Sequence, residues 1–569
     1  MSKIMKKLVV LLLLLPFSLF AQEPTFINPV IPGGHPDPSI CRVGEDYYIV
    51  NSTFELFPGL PIHHSTDLVN WELIGYGLHR PEQASGAVNL VDVQANGGIH
   101  APSIRYHDGT FYIITTNVYS PREPGLPGEM VNFVITATDP SGPWSEPHVL
   151  EGAPGIDPDL FFDDDGKVYF VGTHDPGNPD KNGIGEIWVQ ELDITEWKLT
   201  GERHSIWRGA CGGCCVEGPH IYKVDGTYYL LVAEGGTSYN HAVMISASEN
   251  IAGPYESNPR NSILTSRHLS KNNWVHSTGH ADLVELADGR WYMVCLGIRN
   301  DVDGASNMGR ETFLVPVIWE PSIARWVEVE PGRWEPLEFM WPVAAPATGK
   351  VERHAALPYP GKLQYNNDVF YDNFDSDRLH LEWNFRRVPK EDIYSLTARE
   401  GFLRLYAEEA AIAPREQYGF VGFRQKESDF EYAMQMEFEP KKSSSEAGMA
   451  IIQNEMNYIT YTLRKEGRTA ILRVEVKPLE GDKQTIREQA LETYEGKIIL
   501  KVVAGNGRYL YEYSLDGSTY AVFTETTDDV VVCRDYIGTT MGPYAVGDGK
   551  STGSFADIDW VHYNGFPRY

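Results

Sequence analysis

Five stretches of this chain share one order of residues: HPDPSICRVGEDYYIV at 35–50, HAPSIRYHDGTFYII at 100–114, IDPDLFFDDDGKVYFV at 156–171, VEGPHIYKVDGTYYLLV at 216–232 and GHADLVELADGRWYMV at 279–294. Each has a proline or small residue, an apolar run, a polar turn and then an aromatic run. Aligned on Pro38, Pro102, Pro158, Pro219 and Ala281, the copies stand 64, 56, 61 and 62 residues apart. A near-constant period of this kind marks one supersecondary unit repeated. The apolar residues alternate instead of recurring at helical spacing, so the units are built of strands. The turns Asp108-Gly109, Asp165-Gly166, Asp225-Gly226 and Asp288-Gly289 supply the positive φ that two-residue hairpin turns require. Further short runs in each copy, such as Val131 to Ala137 and Ile187 to Leu192, complete four-stranded antiparallel units. Five such units closing radially predict a five-bladed β-propeller.

The pattern stops near Val351. A connector containing proline and glycine, from Pro342 to Gly361, leads into DNFDSDRLHLEWNF at 372–385 and a series of alternating strands, among them Phe430 to Phe438 and Ile498 to Val503. These predict a lectin-like, concanavalin-like β-sandwich, so the chain is all-β. The expected division is an export signal at 1–21, a propeller at 22–345 and a sandwich at 346–569. The signal rests on three lysines within Met1 to Lys7, an apolar run from Leu8 to Phe20, and Ala21 at its end. That run is shorter than the roughly 20 residues needed to cross a bilayer, and secretion or periplasmic release is the expected location.

A formal net charge of −30 disfavours nucleic acid and anionic membranes as partners and suits a neutral substrate. The six cysteines are too few for a disulfide framework, and Cys211, Cys214 and Cys215 lack the second pair that a zinc finger needs. The adjacent Cys214 and Cys215, preceded by Gly212-Gly213, are candidates for a vicinal disulfide, with buried thiols or a bridge from Cys211 as alternatives.

In a propeller the first strand of every blade lines the central channel. The strand starts here carry His35 with Asp37, then His100, Asp157, Glu217 and His280, so three carboxylates and three histidines are expected around one opening. Cleavage of a glycosidic bond needs one carboxylate ionised and another protonated, and a third carboxylate nearby raises the acid's pKa by repulsion.

The segments HPDPSICRVGEDYYI, STFELFPGLPIHHSTDLVNW from Ser52, EGPHIYKVDGTYYLLVAEGGTSYNHAV from Glu217 and GRET at 309–312 together resemble glycoside hydrolase family 43, the inverting β-xylosidases and α-L-arabinofuranosidases. The likeness runs from about Asn28 to Trp319, and the tail resembles the sandwich often fused behind such propellers. It implies Asp37 as general base, Glu217 as general acid and Asp157 as the residue that tunes and orients the acid. It further implies that Arg310 and His100 bind sugar, that Phe54 walls the pocket, and that His280 lines the channel, where some members hold water or a structural calcium ion. No cofactor is required for the reaction itself. The implied partner is a pentose-containing oligo- or polysaccharide attacked from its end. A glycan-binding protein without hydrolysis and an endo-arabinanase are the alternatives. One departure is visible: His100-Ala101-Pro102-Ser103 stands where many xylosidases of the family have Trp before Ala-Pro-Asp, which removes an indole from the sugar site.

Overall fold

The computed structural model describes residues 24–175, 185–301, 304–365, 368–550 and 552–568, so the expected export signal lies outside the described residues. Five antiparallel sheets follow one another along the chain. The first blade is Ser39–Val43, Asp46–Val50, Gly59–Ser65 and Glu72–Leu78. The second is Gly98–His107, Thr110–Tyr119, Glu129–Ala137 and His148–Val149. The third is Ile156–Phe162, Val168–His174, Glu186–Asp193 and Lys198–Trp207. The fourth is Glu217–Val224, Thr227–Glu234, Ala242–Ser248 and Glu256–Ser257, with Leu264–Thr265 also paired to its third strand. The fifth is Val275–Glu285, Trp291–Arg299, Arg310–Glu330 and Arg333–Ala344.

The five repeats thus become the inner two strands of five blades. Only two of the four Asp-Gly turns are the expected two-residue hairpins. Asp108 and Gly109 have φ of +46° and +80°, and Asp225 and Gly226 have +49° and +82°, which closes a tight turn between adjacent strand ends. In the third and fifth blades the extra residues lengthen the loop to 163–167 and 286–290, and only the glycine takes positive φ.

The ring closes through the segment before the first blade. Asn28 donates its side-chain amide to the carbonyls of Leu314 (3.0 Å) and Glu352 (2.9 Å), and Leu314 N–H donates back to Asn28 Oδ1 at 2.9 Å. Thr25–Ile27 pairs with His354–Ala356 beyond the fifth blade.

The second body is a sandwich of two sheets over one large apolar core that includes Trp383, Phe423, Phe430, Tyr461, Tyr509 and Tyr563. Its second sheet runs in the order 484–491, 469–477, 457–466, 446–454, 540–546, 422–424 and 383–386. That sheet accepts one strand from the propeller: Leu56 and Phe57 pair with Arg386 and Phe385. Beside this seam Arg386 meets Glu55 at 2.5 Å, and Arg387 meets Glu455 at 2.6 Å, all four side chains being buried. The two domains are therefore joined by backbone pairing and by compensated buried charge, which fixes the sandwich relative to the mouth of the propeller.

Candidate active site

At the head of each inner strand one residue adopts a left-handed backbone. These are Asp37 (φ +51°), Ala101 (+34°), Asp157 (+54°), Gly218 (+57°) and His280 (+43°), each standing one place before the repeat's proline or alanine. The strand register breaks at the same places, between His100 and Ser103, Ile156 and Asp159, Glu217 and His220, and Gly279 and Ala281. A bulge of this kind re-aims a side chain out of the pleat, here toward the axis. Four of the five positions carry a side chain in a conformation that costs free energy for any residue but glycine. The three carboxylates at the strand starts do not occupy one repeat position: Asp37 and Asp157 share it, whereas Glu217 stands one residue earlier and Gly218 takes the left-handed place. Gly218 suits that place because a β carbon there would stand 3.0 Å from the His280 ring.

Asp37 is buried. Ser52 Oγ donates to its Oδ2 at 2.7 Å, and Arg310 Nη1 donates to its Oδ1 at 3.0 Å, with His280 Nδ1 3.8 Å away. Burial alone would raise the Asp37 pKa, but Arg310, then His280 and the Ser52 hydroxyl, outweigh it and hold the carboxyl below its ordinary value. Asp37 is thus kept as a carboxylate. Glu217 is pushed up to about 7, first by burial and then by the charge of Asp37, with Arg310 opposing. Asp157 is also raised, by burial and by the charges of Glu217 and Asp37, although Gly218 N–H donates to its Oδ2 at 3.1 Å. The repulsion between Asp157 and Glu217 is mutual, so the pair retains a proton at pH values where an ordinary carboxyl has lost it. Three carboxylates, Asp37 and Asp157 buried and Glu217 half-buried, face Arg310, and their environments drive them toward different protonation states.

Arg310 is held on several sides. Nη1 also reaches Thr237 Oγ1 at 3.2 Å, Nε donates to the carbonyl of Tyr536 at 3.2 Å, and the guanidinium lies 5.3 Å from the Phe54 ring and 5.0 Å from the Tyr536 ring. Tyr536 comes from the sandwich. Its ring is tilted 30° to Phe54 at 5.3 Å and stands edge-on to His100 at 6.1 Å. Phe54 itself is only 1% exposed, so it backs the pocket, whereas Tyr536, at 38%, presents the open aromatic face. The wall role expected for Phe54 is therefore shared with a residue from the other domain.

His100 packs against Phe54 at 4.8 Å, its Nε2 lies 3.0 Å from the carbonyl of Asn96, and burial lowers its pKa to about 4. His280 is also lowered to about 4 by burial, against the pull of Asp37, and both rings are neutral at pH 7. His35 does not join them. Its ring turns toward the sandwich, 5.0 Å from His63 and with Nε2 3.2 Å from Arg424 Nη1. Ser52, Thr237 and Tyr536 were not singled out from the sequence. Ser52 opens the STFE motif and Thr237 lies in the run that follows Glu217, each a small hydroxyl residue with no distinguishing pattern, and Tyr536 carries no repeat signal at all.

The six cysteines are all free thiols, so neither the vicinal bond between Cys214 and Cys215 nor a bridge from Cys211 is formed. Cys215 takes φ +59° and its thiol is raised to about 12 by burial and by its hydrogen bond with Cys214. The loop before Glu217 is fixed instead by the buried Glu234, which accepts N–H bonds from Ala210 (2.9 Å), Cys211 (3.1 Å) and Gly213 (2.7 Å).

Comparison with known proteins agrees with this geometry. Residues 26–322 match the glycosyl hydrolases family 43, and residues 371–564 match the beta xylosidase C-terminal concanavalin A-like domain. The chain is 38% identical to a xylosidase/arabinosidase of Butyrivibrio fibrisolvens over 94% of its own length and 98% of that protein. It is 35% identical to a non-reducing end alpha-L-arabinofuranosidase of Bacteroides ovatus over 95% of both chains. Among solved structures, a xyloglucan-locus protein of the family from Bacteroides ovatus superposes with a TM-score of 0.82 at 33% identity, covering 95% of this chain and 100% of that one. One from Bacillus licheniformis superposes with a TM-score of 0.83 at 32% identity and the same coverage. With a five-bladed propeller, a concanavalin-like sandwich and these matches over nearly its whole length, the chain belongs to glycoside hydrolase family 43.

Proposed function

We propose that the protein is an exo-acting, inverting hydrolase that releases terminal pentose units from plant-type oligo- or polysaccharides, with Asp37 as base, Glu217 as acid and Asp157 as the acid's modulator. The observation that carries this reading is the split within one buried pocket: Asp37 is held ionised while Glu217 keeps its proton to about pH 7. In the reaction Asp37 takes a proton from a water molecule, and the water oxygen bonds to the anomeric carbon from the face opposite the leaving group. Glu217 gives its proton to the glycosidic oxygen as that bond breaks. The cycle leaves Asp37 protonated and Glu217 ionised, and exchange of one proton through solvent resets them. The water between base and sugar requires the two carboxyls to stand about 6.5–9.5 Å apart.

The pentose assignment is supported by relatives named xylosidase, arabinosidase and arabinofuranosidase. Exo action is supported by the sandwich, which brings Tyr536 against Arg310 and Phe54 and so obstructs one side of the opening that a continuous polymer would need. The acidic chain and neutral substrate agree with a protein exported to meet polysaccharide, as residues 1–21 suggest. Proton NMR of the first-formed sugar, with an aryl β-D-xyloside and an aryl α-L-arabinofuranoside as substrates, tests the reading. The expected product has inverted anomeric configuration. Retained configuration removes the mechanism, and glycan binding without release of either sugar favours a binding protein.

A further inference from the structure

Below the catalytic carboxylates the propeller axis holds a second ring of polar residues, one place after the repeat's proline or alanine: Ser39, Ser103, Asp159, His220 and Asp282. Ser39 lies two residues beyond Asp37, Asp159 two beyond Asp157, and Asp282 two beyond His280. Through the middle of this ring passes the side chain of Arg105, from the inner strand of the second blade. Its Nη1 donates to Ser39 Oγ (3.1 Å), to the Ile104 carbonyl (2.9 Å) and to Asp282 Oδ2 (2.9 Å). Its Nη2 donates to Asp159 Oδ2 at 2.5 Å and lies 2.9 Å from His220 Nδ1. One guanidinium therefore touches or belongs to the inner strands of all five blades. The attraction of Asp159 and Asp282 raises the Arg105 pKa despite burial, so the cation is permanent.

The family resemblance allows a calcium ion in this channel near His280, and the residues present do not fit one. Calcium takes about six to eight oxygen ligands. Asp282 Oδ1 is bonded by Tyr222 OH at 2.5 Å, and its Oδ2 by Arg105, by Ser39 Oγ at 2.7 Å and by Ile40 N–H at 3.0 Å. Asp159 Oδ1 accepts Leu160 N–H at 2.7 Å, and its Oδ2 meets Arg105 and His220. Every carboxylate oxygen of the ring is engaged, Ser39 Oγ and Ser103 Oγ are spent on hydrogen bonds within the ring and to the Pro158 carbonyl, and the atom left without a partner is the imidazole nitrogen His220 Nε2. Among the described residues no group of three or more histidine, cysteine or carboxylate side chains is arranged to hold a metal.

We propose that Arg105 is the built-in axial cation of this propeller, a positioning residue that locks the five inner strands beneath Asp37, Asp157 and Glu217 and makes activity independent of divalent metal. Its planar fork satisfies two carboxylates, a hydroxyl and a carbonyl at once, which a single lysine ammonium cannot reproduce. The lock reaches the chemistry through short paths: Asp282 holds the strand of His280, whose ring approaches Asp37 and lies under Gly218.

The test compares the whole protein and its Arg105→Ala and Arg105→Lys variants after treatment with EDTA, with and without added calcium chloride, reading kcat, KM and melting temperature. The wild type is expected to show the same values in every condition. Arg105→Ala should lose roughly 10–100-fold in kcat with little change in KM, as positioning partners of a site commonly do. It should also become calcium-responsive, because Asp159 and Asp282 are then left without the cation that neutralises them and a metal can enter the space of the guanidinium, so that calcium raises both its melting temperature and its kcat. Arg105→Lys should fall between the two in kcat. A wild type that loses activity or melting temperature under EDTA and recovers with calcium overturns the proposal, as does an Arg105→Ala variant with undiminished kcat. Should Arg105→Ala fail to fold, the wild-type arm still decides. The melting temperatures report on the axial cation whether or not the assigned roles of Asp37 and Glu217 hold.

Discussion

Two of the clusters of buried charge in this molecule, one at the domain seam and one at the propeller mouth, are built on opposite terms. At the seam between the domains Glu55 and Glu455 face Arg386 and Arg387, two acids against two bases, with Arg387 Nε also donating to the carbonyl of Val93 at 2.7 Å. At the mouth of the propeller Asp37, Asp157 and Glu217 share, among the described residues, the one arginine Arg310. Burying a charge is tolerable when it is paired, and the seam is the arrangement expected of structure. The pocket leaves its acids under-compensated, so at least one must hold a proton. That shortage suits the pocket to proton transfer, whereas at the seam each of the two acids has an arginine against it, which holds Glu455 low and opposes the rise that burial imposes on Glu55.

The sharpest way to break the comparison is to remove the one pocket carboxylate that is fully compensated. Asp37→Ala should lose on the order of 10²–10⁴-fold in kcat on every glycoside, because water must be activated whatever the leaving group. Steady-state assays check this, and a near-normal rate would place the base elsewhere. The matching cut at the seam should act on stability instead. Arg387→Ala leaves Glu455 short of a partner and should destabilise the protein by about 3–5 kcal/mol, as chemical denaturation would show. A loss of rate without a loss of stability there would erase the distinction between the two clusters.

Smaller effects separate the members of the pocket. Asp157 and Glu217 repel one another and share the retention of a proton, so Asp157→Asn, which dissolves the pair, should move the alkaline limb of kcat/KM to lower pH. A limb that stays in place would leave Asp157 with an orienting role only. Stability carries the same signature. The pKa of Glu217 is raised on folding, so the contribution of its carboxyl is fully present below the ordinary glutamate value of 4.5 and is lost as pH climbs to about 7. Glu217→Gln should accordingly raise the melting temperature relative to wild type more at pH 8 than at pH 5.

Much of this was legible in the sequence because repetition converts a one-dimensional period into a radial position. Asp37, Asp157 and His280 could be placed at the axis from their spacing alone, and Glu217 to within one residue. What spacing cannot convey is where a side chain turns. His35 shares the motif with Asp37, yet it faces Arg424 of the sandwich. Phe54 reads as a stacking wall, but its ring is sealed behind Tyr536. Tyr536 itself reaches the site through a contact across 226 positions from Arg310, and no local pattern encodes that. Arg105 sits in an alternating strand as an exposed arginine would, and only the closed ring brings two aspartates from other blades to it. The hairpins of the third and fifth blades differ for a simpler reason: there the Asp-Gly pair is part of a five-residue loop and not the whole turn.

The central claim is that Glu217 supplies the proton to the leaving oxygen, and one measurement tests it most directly. The rates of Glu217→Ala and wild type are compared on a natural xylo- or arabino-oligosaccharide, whose leaving alcohol is poor, and on an aryl pentoside whose leaving group departs without a proton. The account predicts a loss on the order of 10²–10⁴-fold on the oligosaccharide and recovery of most of that loss on the aryl substrate. Equal losses on both substrates would contradict it.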